Sequence, residues 1–407
     1  MAPPTTEHRP LARNYRFPWR KGNAFRLLPD APLYYPAMLT AIDQAEHYIL
    51  LEMYLFESGR VATRFIDALC AAARRGVAVY VLIDGYGSKE LSTADRQRLQ
   101  DAAVDLKEYN PVRYSARGGN LFRNHRKLLL VDGRQAFTGG SGIMDEYDYE
   151  QRPDTYWHDL MVEIRGPCVG DWRDLFLETM ARWRPGVLQL PHTSTPPAAG
   201  EQSGRVVQSH SAVHSELMRS HIGRIRGARR RVWLATAYFV PSRKLRRALR
   251  RGARRGVDVR LLVPGPSIDH PWILHIARRY YGRLLRNGVR IFEYQARFTH
   301  VKALLCDDWV SIGSSNVDRW NFRWNLEANQ DVADATFARQ AHEMLARDLE
   351  QAQEVDPARW RQRSRVQRLR EWFWGYLVVT MLTWFSTRLL DPRGERDRGA
   401  DGQAGPL

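Results

Sequence analysis

Lysine is scarce in a chain otherwise crowded with positive charge: of 62 basic side chains only six are lysine, at positions 21, 89, 107, 127, 244 and 302. A lysine kept at equivalent places in such a chain marks a site where a compact ammonium is needed and a planar guanidinium does not substitute. Cysteine is nearly missing too. Cys70, Cys168 and Cys306 are widely spaced, which excludes a disulfide framework and a zinc-binding pattern. His210, His214, His270 and His275 lack metal-ligand spacing, so neither a metal nor a cofactor is expected. Residues 1–20 are polar and rich in Pro and Arg, without the apolar core of a signal peptide, so residence on the cytoplasmic side is expected.

What is present in excess is positive charge. The formal net charge of +17 over 407 residues predicts attraction to a polyanion, either nucleic acid or an anionic lipid surface. The C-terminal region favours lipid. Arg359, Arg361, Arg363, Arg365, Arg368 and Arg370 precede a run without charge, Trp372 to Thr387. As a helix that run spans about 24 Å, short of the roughly 30 Å hydrocarbon core. Thr380, Thr383 and Thr387 form a polar stripe, and three tryptophans suit the headgroup level. The expectation is an interfacial or shallowly inserted helix on the inner membrane. A helix spanning with help from a snorkelling Arg388, and a packing helix, are the alternatives. The tail from Pro392 is expected to be disordered.

One pattern occurs twice. His125-Arg126-Lys127 is followed by Asp132, and His300-Val301-Lys302 by Asp307 at the same spacing. In extended chain, alternate residues share a face, so each copy presents one imidazole and one ammonium to a common surface. Asp132-Gly133 is a hairpin signal, and Asp307-Asp308 interrupts the second copy at the matching point, so both aspartates belong at turns, where orienting the site is the expected role. Downstream lie Gly139-Gly140-Ser141-Gly142 and Gly313-Ser314-Ser315-Asn316. These small residues could open a helix whose N–H groups, with Ser141, Ser314, Ser315 and Asn316, contact phosphate oxygens. One imidazole can attack phosphorus while the other protonates the leaving oxygen, with the lysines neutralising the transition state.

The duplication extends beyond the motif. The stretch around Arg74-Arg75-Gly76-Val77 answers Arg254-Arg255-Gly256-Val257, and Tyr54-Leu55-Phe56 answers Tyr238-Phe239-Val240. Each unit reads as an apolar strand (48–56; 231–240), a helix (61–75; 243–255) and a second strand (78–83; 258–263), which is a βαβ unit. Two α/β halves facing each other across a shared active-site cleft are therefore predicted. The expected division is a polar tail at 1–23, a first half at 24–190, a linker at 191–204, a second half at 205–352, a basic and apolar membrane-associating segment at 353–391, and the tail beyond 392.

These residues resemble the phospholipase D superfamily with its doubled histidine-lysine-aspartate motif. Within it, Arg123-Asn124-His125-Arg126-Lys127, Tyr238-Phe239-Val240-Pro241 and Asn325-Leu326-Glu327 are most similar to bacterial cardiolipin synthases of the shorter B type. The resemblance implies a phosphatidyl transferase that makes cardiolipin from phosphatidylglycerol through a phosphatidyl-histidine, with His125 as nucleophile and His300 as acid and base. It also implies that Asp159 orients His125 and that Glu327 orients His300. Gly142 stands where first copies of the family usually carry Asn. Hydrolysis of phospholipid headgroups is the alternative, a nuclease is a third reading, and a catalytically dead anionic-lipid-binding protein is the non-enzyme reading. The expected partners are an anionic phospholipid membrane and its lipids, not nucleic acid.

Overall fold

A computed structural model describes residues 15–112, 122–182, 188, 190, 196–209, 216–316 and 325–364, together with 366, 369 and 373. The apolar run 372–387, apart from Phe373, and the tail beyond 392 lie outside the described residues, as do Trp320 and Trp324. The first half comprises β1 (Arg20–Pro29), α1 (Ala31–Asp43), β2 (Tyr48–Met53), α2 (Arg60–Arg74), β3 (Ala78–Asp84), α3 (Thr93–Asp101), β4 (Asp105–Tyr109), β5 (Arg123–Asn124), β6 (Leu128–Val131), β7 (Gln135–Gly139), β8 (Leu160–Arg165) and α4 (Cys168–Ala181). The second comprises β9 (Gln202–Ser209), α5 (Glu216–Gly227), β10 (Arg231–Ala235), α6 (Arg243–Arg254), β11 (Asp258–Pro264), α7 (Pro271–Leu285), β12 (Arg290–Tyr294), β13 (Ala303–Cys306), β14 (Trp309–Gly313), β15 (Asn325–Ala333), α8 (Ala335–Glu350), β16 (Ala352–Glu354) and α9 (Pro357–Arg361).

The predicted βαβ units are present. β2 and β3 pair in parallel from Tyr48↔Ala78, and β10 and β11 from Arg231↔Asp258, each across its own helix. Both crossover helices stop in the same way. The sequence Arg-Gly-Val follows each, and Gly76 and Gly256 take φ +91° and +84°, a region open to glycine at little cost. Strand order repeats as well: β1-β8-β7-β6-β2-β3-β4 in one half and β9-β15-β14-β13-β10-β11-β12-β16 in the other. Antiparallel pairing of β1 with β9 joins them into one continuous sheet.

Apolar residues form three cores. One lies between the halves, where Trp172 and Phe176 of α4 and Phe337 and Met344 of α8 meet side chains from both sets of strands. The other two lie under α1 to α3 and under α5 to α7. Burial on both faces explains the continuous apolar character of β6 and β13. Three expected boundaries move. The polar tail ends earlier than 23, because Phe17 is buried in the central core and β1 begins at Arg20. The linker ends before 204, because Gln202 already belongs to β9. The second half continues past 352, because β16 completes the sheet against β12 and Trp360 packs on Tyr281. In each case a short segment gains order from tertiary pairing that local composition does not reveal.

Candidate active site

Two short cross-half pairings set the site. β5 runs parallel to the start of β15, with Arg123↔Asn325 and Asn124↔Leu326, and the His125 N–H donates to Leu326 O at 3.0 Å. On the related side His158 and Thr299 form a bridge, and the His300 N–H donates to His158 O at 2.7 Å. The chain entering each histidine is thereby zipped to the chain entering the opposite half's carboxylate. His125 Nδ1 lies 3.1 Å from Glu327, and His300 Nδ1 lies 2.7 Å from Asp159. The expected pairing of Asp159 with His125 and Glu327 with His300 is therefore overturned: each carboxylate serves the histidine of the other half.

The alternation predicted around each histidine is observed. Lys127 Nζ donates to His125 O at 2.7 Å, and Lys302 Nζ donates to His300 O at the same distance. Between them, Arg126 turns the other way into the core, donating to Thr179 Oγ1 at 2.7 Å and lying 3.6 Å from Glu52. Val301 occupies the corresponding inward position in the second half.

Burial governs the electrostatics. His125 is held well below its ordinary range by burial and then by Lys127 and Lys302. His300 is lowered to about 4 by burial and Lys302, against the pull of Asp159. Each imidazole thus feels the lysines of both halves, so the two motifs form one site. Burial also lowers Lys127, to about 7, and raises Glu327, to about 8. Asp159 stays below the usual carboxylate range, because Lys302 and His300 outweigh the burial that would raise it. The resting enzyme therefore holds neutral imidazoles in a site short of negative charge.

The glycine-serine clusters break the symmetry. Ser314 Oγ donates to Glu327. At the matching place stands Gly140, where a Cβ would come within 2.3 Å of Asp159. The hydroxyl there comes instead from Tyr147, 3.0 Å from Asp159 and 2.8 Å from His300 Nδ1. Gly142 packs against Leu55, whose Cβ would lie 2.7 Å from any added Cβ, and its carbonyl accepts from Tyr35. The first half thus has no room for the usual Asn. Asn316, its counterpart, is fully buried, with neither amide atom hydrogen-bonded among the described residues. Ser141 Oγ donates to Gly142 O at 3.0 Å. The helix expected after Gly142 does not form; a single 3-10 turn, Asp145–Tyr147, follows.

Asp132 and Asp307 are placed at turns, as expected, but away from the chemistry. Each sits at φ 52° and accepts from three successive backbone N–H groups, those of residues 46–48 for Asp132 and 229–231 for Asp307, at 2.8 to 3.0 Å. Five residue steps of extended chain, roughly 16 Å, separate each from its motif lysine. They tie the hairpin turn to the start of β2 or β10 and touch neither histidine. Several site residues carried no motif of their own. Tyr54 lies 4.5 Å from His125 between ring centroids, and Trp157 and Phe298 lie 5.6 and 5.8 Å from His300. Only the repeat of Tyr54 at Tyr238, whose ring is 6.2 Å from His300, could have drawn attention to this wall.

Comparison with known proteins decides the family. The profile described as "Cardiolipin synthase, PLD-like domain" matches residues 38–149 and 222–349. This chain belongs to that family. Cardiolipin synthase B of Salmonella typhimurium is 36% identical over 329 residues, covering 78% of each chain. Cardiolipin synthase B of Escherichia coli K12 is 35% identical over 83% of this chain and 84% of the relative. "Probable cardiolipin synthase YwiE" of Bacillus subtilis is 29% identical over 86% of this chain and 70% of the relative. Among solved structures, phosphatidylserine synthase of Haemophilus influenzae superposes with a TM-score of 0.70 at 13% identity, covering 88% of this chain and 94% of that one. That likeness shows a shared fold and nothing finer.

Proposed function

We propose that this family member is a phosphatidyl transferase that makes cardiolipin from two molecules of phosphatidylglycerol, or from a related donor and acceptor. The observation that carries the reading is the pairing of two imidazoles from opposite halves in one lysine-flanked site, each with a carboxylate on Nδ1. His125 is assigned as nucleophile. Its Nε2 attacks phosphorus, the bond from phosphorus to the glycerol headgroup oxygen breaks, and His300 gives that oxygen a proton.

His300, neutral at rest, takes up a proton from solvent as the substrate binds. An anionic phosphodiester between Lys127 and Lys302 offsets the charges that hold His300 low, and Asp159 then favours the imidazolium. In the second step His300 takes the proton of an incoming phosphatidylglycerol hydroxyl, that oxygen attacks phosphorus, and His125 is released. The products are one cardiolipin and one glycerol. Lys127, Lys302 and the unpaired amide of Asn316 stabilise the five-coordinate phosphorus. Work at the cytoplasmic face of a bacterial inner membrane, by peripheral attachment, fits the lipid substrate and the basic segment from Arg359.

The test is incubation of purified protein with labelled phosphatidylglycerol, with and without phosphatidylethanolamine, followed by trapping of labelled protein in detergent denaturant at mildly alkaline pH, where a phosphoramidate survives. Labelled cardiolipin, and trapped label lost in His125→Ala, support the reading. Phosphatidate as sole product would assign hydrolysis instead, and turnover undiminished in His125→Ala or His300→Ala would end the two-histidine mechanism.

A further inference from the structure

An arginine-lined groove lies outside the cleft. Arg243, Arg246, Arg247 and Arg250 fall three, four and seven residues apart on α6, so they share one face of the helix. That face meets Arg279 and Arg283, four apart on α7, across a groove of about 520 Å³ lined also by Tyr280 and Leu284. Among the described residues no carboxylate lines this groove, and none of the six arginines forms an ion pair. Arg246 lies over the Tyr280 ring at 4.6 Å, with its Nε buried and without a hydrogen-bond partner. Arg250 is lowered by burial and by the neighbouring guanidiniums.

The fold does not require this arrangement, and the duplicated unit shows why. In the first half the equivalent helix α2 carries three arginines, of which, among the described residues, Arg60 and Arg64 are neutralised by Asp148 or Glu150 at 3.1 to 3.4 Å and only Arg74, in the last turn, is not, so no arginine cluster forms there. Concentrating uncompensated guanidiniums opposes folding, so a cluster confined to one of two copies points to a ligand that supplies the missing charge. A second basic pocket lies on the opposite side of α7. There Arg286, Arg361 and Arg363 surround Trp360, which packs on Tyr281 at 5.1 Å.

We propose that the α6–α7 groove binds the phosphate-bearing headgroups of anionic phospholipids, as a docking site separate from the cleft that holds the second half against the membrane. The choice of lipid over another polyanion rests on the phospholipid reading of the active site. Guanidiniums bind phosphate oxygens in pairs, which suits closely spaced phosphate headgroups.

The experiment compares full-length wild type, a groove variant (Arg243→Gln, Arg247→Gln and Arg250→Gln) and a control that loses equal charge from the first half (Arg74→Gln, Lys89→Gln and Arg134→Gln). Arg246 is left in place because it packs on Tyr280. Binding is measured by flotation with phosphatidylcholine vesicles with and without phosphatidylglycerol, and turnover with short-chain phosphatidylglycerol in detergent. The groove variant should bind phosphatidylglycerol vesicles on the order of 100-fold more weakly, with detergent-phase turnover unchanged. The control should lose only a few-fold. Equal weakening of both variants would overturn the proposal, as would a loss of DNA binding in the groove variant with vesicle binding intact. Groove-dependent vesicle binding by a protein without transferase activity would leave the groove standing and defeat only the enzymatic reading.

Discussion

Exchanging the carboxylates for their amides, Glu327→Gln and Asp159→Asn, tests the crossed wiring of the site. Glu327 lies 3.1 Å from His125 Nδ1 in a fully buried setting. At an effective dielectric near 20, its charge stabilises a cationic phosphoimidazole by about 5 kcal/mol. Because burial raises Glu327 to about 8, ionising it at pH 7 costs about 1 kcal/mol, leaving roughly 4 kcal/mol, or about three orders of magnitude in rate. Asp159, 2.7 Å from His300 and already below the usual carboxylate range, carries a comparable effect without that ionisation cost. Leaving-group chemistry separates the two. From a phosphatidyl p-nitrophenyl ester, p-nitrophenolate departs without a proton, so the variants that lack acid catalysis should recover on it while those that lack nucleophilic attack stay slow. With single-turnover release of p-nitrophenol as the assay, Asp159→Asn should follow His300→Ala, and Glu327→Gln should follow His125→Ala. This grouping holds whichever histidine is the nucleophile. If Asp159→Asn grouped with His125→Ala, the crossed arrangement would be wrong.

Two further outcomes follow from the same geometry. Asp132→Ala and Asp307→Ala each remove three backbone hydrogen bonds at a partly exposed turn and should lower stability by roughly 1–3 kcal/mol in denaturant titration. Both should keep kcat within a few-fold of wild type, and a collapse of kcat in a folded variant would return these aspartates to the chemistry. His158 joins the halves by pairing with Asp30 at 2.7 Å and Asp348 at 3.1 Å, which raise it to about 10 although its burial opposes this. A raised folded-state value means stability fully present below about pH 6.5 and lost as pH climbs towards 10. His158→Gln should therefore cost roughly 3 kcal/mol near neutral pH, with the gap from wild type closing as pH rises; a gap that widened in thermal melts at alkaline pH would contradict the ion-pair account.

The local signals in this chain were strong where one side chain's chemistry or one backbone constraint sufficed. The His-x-Lys repeats required only the two-residue period of extended chain, and Lys127 and Lys302 do turn inward with their histidines. Arg-Gly-Val marked both helix ends because glycine alone enters φ near +90° freely. The hairpin aspartates could be placed at turns from Asp132-Gly133. Their remoteness from the histidines could not be read locally, since it depends on where β2 and β10 begin in space. The tertiary structure alone decided which carboxylate serves which histidine. Asp159 and Glu327 are each close in sequence to their own half's motif, yet β5 pairs with β15 and His158 bridges Thr299, so the chain crosses the interface just before each site residue. Tyr147 replaces the serine that Gly140 lacks, Leu55 occupies the space an Asn at position 142 would need, and six arginines gather on two helices whose individual patterns look like ordinary solvated faces. Each is a contact between distant segments, and the periodicity of a single segment carries no information about what another brings to meet it.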